Sequence, residues 1–261
     1  MHITTHHTVT ALVMSLLMFS SPAGRADCAV ESGPRTAALI ELYTSEGCSS
    51  CPAADRQLSA LAHTLDADAE VVPLAMHVSY WDALGWPDRY AQLVFDQRQQ
   101  WLVQTNHQQV VYTPQFFVAG RELRAWQQRL RDEVRAVNAQ AAAAHIAIRA
   151  HPQADDTLSL DVKVAAVAPN APAVLYLALA ESGLRTAVKR GENGGRVLTH
   201  EHVVHTWLGP LAVAKADGAE RRALPLAVNW QRDQLEVIAI VQDPRSGQVL
   251  QTLRAQHCAT S

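Results

Sequence analysis

The apolar positions of the first half alternate between short continuous runs and helical spacing. Residues 37–43 form an apolar run that ends at Thr44-Ser45-Glu46-Gly47, the pattern of a buried strand entering a tight loop. Pro52 opens a helix in which Leu58, Leu61, Ala62 and Leu65 share one face. Proline suits the first helical position because the N–H it lacks would have no partner there. A second strand is predicted over 71–78, a helix over 88–101, a third strand over 115–118 and a long helix over 123–144. Beyond Ala144 the pattern changes to short runs of period two or continuous apolar character. Residues 145–150, 158–166, 173–181, 197–207, 222–228, 235–242 and 248–254 read as strands separated by turns, the signature of an antiparallel sandwich. The pattern predicts an α/β domain over 27–144 followed by an all-β antiparallel sandwich domain over 145–261.

The same pattern predicts a leader. Residues 11–20 are almost wholly apolar, about half of the ~20 residues that cross a bilayer as a helix. Gly24 and Ala26 supply the small residues a signal peptidase reads, so residues 1–26 are expected to be a signal peptide cleaved after Ala26. The alternative is a membrane anchor, since the segment before the run carries His2, His6 and His7 but no Lys or Arg. Export to the periplasm or beyond would place every cysteine in an oxidising space.

Composition narrows the classes. The chain has 261 residues, of which 48% are hydrophobic and 18% charged, with a net charge of −3 that the loss of Arg25 moves to −4. A near-neutral globular chain of this kind argues against nucleic acid or a polybasic membrane contact as partner. Beyond the leader, no run is long enough to span a membrane.

Chemistry concentrates at Cys48-Ser49-Ser50-Cys51-Pro52, between a predicted strand and a predicted helix. Unpaired N–H groups and the positive end of a helix dipole favour thiolate over thiol. Cys48 is therefore read as the attacking sulfur and Cys51 as the resolving one, with the intervening serines as hydrogen-bond donors. A structural disulfide and half of a metal site are the competing readings. Zinc would need two further ligands, and no second Cys-x-x-Cys or nearby Cys/His pair supplies them. Soft thiolates also bind Cu(I), so a copper chaperone using Cys48, Cys51 and His77 stays open, as does a non-catalytic binding protein. Cys28 and Cys258 are expected to form a structural disulfide tying the termini, worth about 4–5 kcal/mol in the chain-entropy model.

Thr113-Pro114 adds to the redox reading. In thioredoxin-like folds a cis-proline before a strand abuts the cysteine pair and receives an extended substrate, and an X-Pro bond costs only about 0.5–1 kcal/mol to hold cis. Between Cys51 and Pro114 lies a predicted helical insertion, 77–111, rich in aromatic residues. Tyr80 and Trp81 are candidate substrate contacts there, and His77 is a possible modifier of the cysteines. The competing reading makes these rings and His77 core residues. His200 and His202 would share one strand face with His205 on the other, a weak metal signal beside an ordinary polar face.

Glu41-Leu42-Tyr43-Thr44-Ser45-Glu46-Gly47-Cys48-Ser49-Ser50-Cys51-Pro52-Ala53-Ala54-Asp55, His77-Val78-Ser79-Tyr80-Trp81-Asp82, Leu84-Gly85-Trp86 and Tyr112-Thr113-Pro114-Gln115 resemble the secreted family catalogued as domain of unknown function 1223. Gly191-Glu192-Asn193, Gly195-Arg196 and Val203-Val204 carry the likeness into the second half. The resemblance implies a thioredoxin-like first domain, and it leads one to expect an acid where this chain has Ser79. The expectation is an exported thiol–disulfide oxidoreductase with no cofactor and no metal. Its partners would be a disulfide- or thiol-bearing substrate and a second redox partner, with no membrane contact after cleavage of the leader.

Overall fold

The computed structural model describes residues 28–166, 172–213 and 219–260, so the expected leader lies outside the described residues. In chain order it shows β1 (Cys28–Glu31), β2 (Ala38–Thr44), α1 (Cys51–Ser59), α2 (Leu61–Thr64), β3 (Val71–His77), α3 (Leu93–Thr105), β4 (Gln115–Val118), β5 (Arg121–Glu122) and α4 (Trp126–Asn138). Then come β6 (Ala144–Pro152), β7 (Thr157–Ala166), β8 (Val174–Glu181), β9 (Leu184–Ala187), β10 (Val197–His200), β11 (Val203–Ala212), β12 (Ala219–Pro225), β13 (Leu235–Gln242) and β14 (Val249–Gln256).

Eight strands form one mixed sheet in the order β14-β13-β8-β11-β3-β2-β4-β5. This corrects the expected fold class of an α/β thioredoxin-like domain followed by a separate all-β sandwich. The strands assigned to the sandwich enter the same sheet as β2, β3 and β4, through the parallel pairing of β11 with β3 at Val203 and Ala75. The reason lies in β8 and β13, whose side chains are buried on both faces almost throughout. Strands of that kind belong inside a sheet covered on both sides. A second sheet, β1-β6-β7-β12, is antiparallel throughout, and β9 and β10 form a two-stranded ribbon.

The large sheet divides its burial by alternation. Leu39, Tyr43, Tyr176, Ala178 and Ile238 point to one face, where Phe95, Leu102 and Val103 of α3 cover them. On the other face, Ile40, Leu42 and Phe116 meet Leu58 of α1 and Leu130 and Val134 of α4. Further along that sheet, Leu175, Leu177 and Val237 pack with Ile146, Ile148 and Leu160 of the four-stranded sheet.

Local boundaries differ from expectation for identifiable reasons. The helix expected to run through Leu65 stops at Ala60, where a second short helix begins. The helix expected over 88–101 starts only at Leu93, because the Asp88 carboxylate accepts the Tyr90 N–H and holds a turn instead. α4 ends at Asn138, whose amide donates to the carbonyls of Thr36 and Glu70. The strand expected over 197–207 is split at His202, which has φ +57°, so β10 and β11 belong to different sheets.

Candidate functional site

Buried β2 delivers the chain into a loop that ends at α1. Cys51 is the first residue of the helix, Ser50 its N-cap and Pro52 the next residue. Cys48 and Cys51 are joined by a disulfide, with Sγ atoms 2.13 Å and Cα atoms 5.4 Å apart. Backbone bonds from Cys48 N–H to Ser45 O and from Cys51 N–H to Cys48 O, both 3.2 Å, shape the turn. Cys48 is 1% and Cys51 0% exposed. The Ser50 hydroxyl lies 3.4 Å from Cys48 Sγ and is the donor, because a disulfide sulfur carries no hydrogen. Because α1 begins at Cys51, the positive end of its dipole lies at this sulfur pair and favours negative charge there.

A buried polar cluster lies beneath the disulfide. Asp55, one turn beyond Cys51 on the buried face of α1, accepts the Thr44 hydroxyl at 2.8 Å. Burial holds its carboxyl above the ordinary range, although the charges of His77 and His200 oppose this. His77, buried at the end of β3, donates Nδ1–H to Asp88 Oδ2 at 2.7 Å. Burial alone would push the imidazole down, but the charge and hydrogen bond of Asp88, with Asp55 and Glu46, raise it above its usual value. Burial would likewise raise Asp88, yet His77 and the backbone N–H groups of Glu46 and Tyr90 hold it below the carboxylate range. Glu46 accepts Trp86 Nε1–H at 2.7 Å and lies 3.1 Å from His200 Nε2. The His77 and His200 rings are 5.1 Å apart, and neither His77 Nε2 nor His200 Nδ1 has a hydrogen-bond partner among the described residues.

A loop from the second half clasps the cysteine turn. Asn193, fully buried, donates its amide to the carbonyls of both Glu46 and Cys48 at 2.9 Å. Glu192 accepts the Ser49 N–H at 2.9 Å, and the Ser49 hydroxyl together with that N–H lowers its carboxyl below the usual range. Gly191 has φ +71° and lies against Trp86, where an added Cβ would come 3.2 Å from the Trp86 Cβ, so the left-handed backbone and the tight approach both favour glycine.

The other candidate residues fall in several places. The Thr113–Pro114 bond is cis, and Pro114 lines a groove with Ser49 and Ser50. The Thr113 hydroxyl is buried without a partner among the described residues. Trp81 stands beside Gly47, while Tyr80 lines a different groove with Gln100 and Gln104 and donates to Gln99. Where an acid was expected at Ser79, the serine N–H and hydroxyl both donate to Asp96, at 2.8 and 2.5 Å. Cys28 and Cys258 are disulfide-bonded, with Cα atoms 5.3 Å apart. His202 lies 3.0 Å from Glu236 and His205 2.8 Å from Glu181, so His200 and His202 do not converge. No group of three or more His, Cys, Asp or Glu with metal-holding geometry occurs among the described residues.

Sequence reasoning missed Glu46, Asp55, Asp88, Glu192, Asn193 and His200 as parts of this site. Glu46 and Asp55 stand inside the cysteine motif and could have been weighed as its neighbours. The 191–195 segment reads locally as a turn, and nothing in its pattern tells that it closes over Cys48.

A family model described as "Protein of unknown function (DUF1223)" matches residues 39–242. Among curated proteins none matches the chain. A crystal structure of a protein from Agrobacterium tumefaciens is similar at TM-score 0.62 and 23% identity, over 88% of this chain and 98% of that one. HBP35 of Porphyromonas gingivalis is similar at TM-score 0.67 and 16% identity, over 86% of this chain and 76% of that one. At these identities the likeness concerns the fold alone.

Proposed function

The chain belongs to the family described as protein of unknown function DUF1223, and from that premise we propose that it is an exported thiol–disulfide oxidoreductase acting through Cys48 and Cys51. The observation that carries this reading is the disulfide at the N-terminus of α1, with the Ser50 hydroxyl at one sulfur and the buried Asp55 carboxyl one turn beyond the other. Structural disulfides have no need of a helix terminus and a buried carboxyl whose hold on its proton is raised by burial. Exchange uses both, because charge appears on a leaving sulfur and a proton must follow it.

In the oxidising direction, a thiolate of a substrate dithiol attacks Cys48 Sγ. A substrate–Cys48 bond forms, the Cys48–Cys51 bond breaks, and Cys51 leaves as a thiolate that takes a proton from Asp55. The substrate's second thiolate then attacks its own sulfur in the mixed disulfide and releases the Cys48 thiolate, and the two protons shed by the substrate thiols return through solvent to Cys48 and to Asp55. The substrate loses two electrons and becomes a disulfide, while the pair gains them and becomes a dithiol. A second partner, a disulfide of higher potential, takes the electrons back. Reduction of substrates is the same sequence run backwards, with a dithiol as the resetting partner.

Export is part of the proposal. Supporting it are the apolar run at 11–20 with its small residues before Asp27, and the pairing of all four cysteines.

The test is a trap. With Cys51→Ala, the mixed disulfide on Cys48 has no resolving thiol, so a covalent adduct with a thiol- or disulfide-bearing protein should accumulate and vanish on reduction. The wild-type pair should equilibrate with glutathione at a measurable potential. Absence of any adduct together with stoichiometric Cu(I) binding by the reduced wild type would overturn the reading in favour of a copper carrier.

A further inference from the structure

A groove of about 450 Å³ begins at the residues between the two cysteines. Ser50 and Pro114 form its end nearest the disulfide, Tyr112 and Trp126 supply aromatic wall, and Arg56 of α1 and Arg196, just before β10, bring two guanidinium groups to it. Its size falls within the ~300–1,000 Å³ range of ligand clefts. Neither arginine has a carboxylate partner among the described residues; Arg196 donates only to the neutral amide oxygen of Asn193. In a larger cavity elsewhere, Arg124 is paired with Glu122 and Arg129 with Glu133. At the groove's cysteine end the Glu192 carboxylate is engaged by the Ser49 N–H.

Two uncompensated guanidinium groups on a chain of net negative charge attract anions, and a guanidinium binds a carboxylate through paired N–H donors. Tyr112 and Trp126 offer apolar surface to the adjoining side chain. We propose that the groove receives a peptide segment of the substrate protein that carries an Asp or Glu and an apolar side chain within a few residues of its reactive cysteine. This substrate class rests on the oxidoreductase reading for its chemistry, although the groove's recognition of an acidic peptide is a binding property in its own right. Placement explains the selectivity: a chain seated here has its sulfur delivered beside Ser49 and Ser50, next to Cys48.

The experiment uses two pairs of peptides in the full mature chain. One pair, with serine in place of cysteine, differs only by Glu against Gln and is read by calorimetry. The other pair retains cysteine and is read by exchange rate. The Glu peptide should bind and react about tenfold better than the Gln peptide at low salt, and the ratio should shrink as salt is added. Arg56→Glu and Arg196→Glu should bring the ratio to about one or below, and Arg56→Lys should retain most of it. Each variant is first shown to melt as the wild type does, so that a ratio of about one reports loss of the guanidinium charge and not loss of fold. A ratio near one in the wild type, or one unmoved by both charge reversals, overturns the groove assignment. Selective binding of the serine peptides with no exchange of the cysteine pair would sink the oxidoreductase reading and leave the groove standing. Exchange without selectivity does the reverse.

Discussion

The side-chain amide of Asn193 donates to the backbone carbonyl of Cys48 over 2.9 Å, fastening a segment from the second half of the chain onto the cysteine turn. Its second donor hydrogen goes to the carbonyl of Glu46. With Asn193→Ala both carbonyls lose their donor in a buried place, at a cost of about 1–3 kcal/mol, measured by urea denaturation. The same variant should be reduced faster by dithiothreitol, because Cys48 is 1% exposed and a nucleophile reaches it only when the covering segments shift. An unchanged reduction rate would show that the 191–195 loop does not govern access.

Asp55→Asn separates stability from chemistry. Asparagine can still accept the Thr44 hydroxyl but ends the cost of charging a buried carboxyl, which burial holds above its ordinary range. For a carboxyl with a raised value the folded state binds the extra proton, so stability falls as pH rises through that value. The variant should therefore be more stable than wild type at neutral pH while exchange slows by up to about a hundredfold. Paired melting and stopped-flow measurements check both; equal exchange rates would remove Asp55 from the proton path.

The His77–Asp88 pair gives a pH window. His77 is raised, so its contribution is full below the ordinary imidazole value and is lost as pH rises through the raised one. Asp88 is lowered, so its contribution is full above the ordinary carboxylate value and is lost as pH falls through the lowered one. Between about pH 4 and 6.5 both are present. Asp88→Asn should cost about 3 kcal/mol or more in that window and progressively less on either side of it. A cost independent of pH would mean that the two side chains act as neutral hydrogen-bond partners.

Arg98 grips Glu41 through two bonds of 3.0 and 2.9 Å, both side chains almost wholly buried, with Tyr43 donating to the same carboxylate. Its guanidinium also lies 4.7 Å from the ring centres of Trp101 and Tyr176. Arg98→Met strands a buried carboxylate and should cost about 3–5 kcal/mol. Adding Glu41→Gln should restore part of that loss, as read from denaturation midpoints. If the double variant is no better than the single, packing rather than charge explains the cost.

Cys28 and Cys258 close a loop across 230 positions, linking β1 at the edge of the four-stranded sheet to the turn after β14. The chain-entropy model assigns such a closure about 5 kcal/mol. Cys28→Ser with Cys258→Ser should lower stability by up to that amount and leave Cys51→Ala trapping at Cys48 intact. Loss of trapping in a variant that still folds would tie the bridge to the redox site.

Local order was readable wherever it depended on neighbours within a turn or two. The continuous apolar run of β2, the helix α1 at the cysteine pair and the period-two strands of the second half follow from side-chain spacing along a single segment. The Cys48–Cys51 pair and Pro114 announced themselves by residue type and order. Only the tertiary structure decided that β11 lies beside β3, because sheet partners are chosen by pairing between distant segments that no periodicity records. That one pairing turned an expected pair of domains into a continuous eight-stranded sheet. It also set His200 against Glu46 and Asn193 against Cys48, contacts that could not be assigned while residues 191–200 read as a turn and a polar strand. The Cys48–Cys51 pair was therefore determined by sequence, and its cover, the buried polar cluster beside it and its arginine-flanked groove by the meeting of chain segments far apart in sequence.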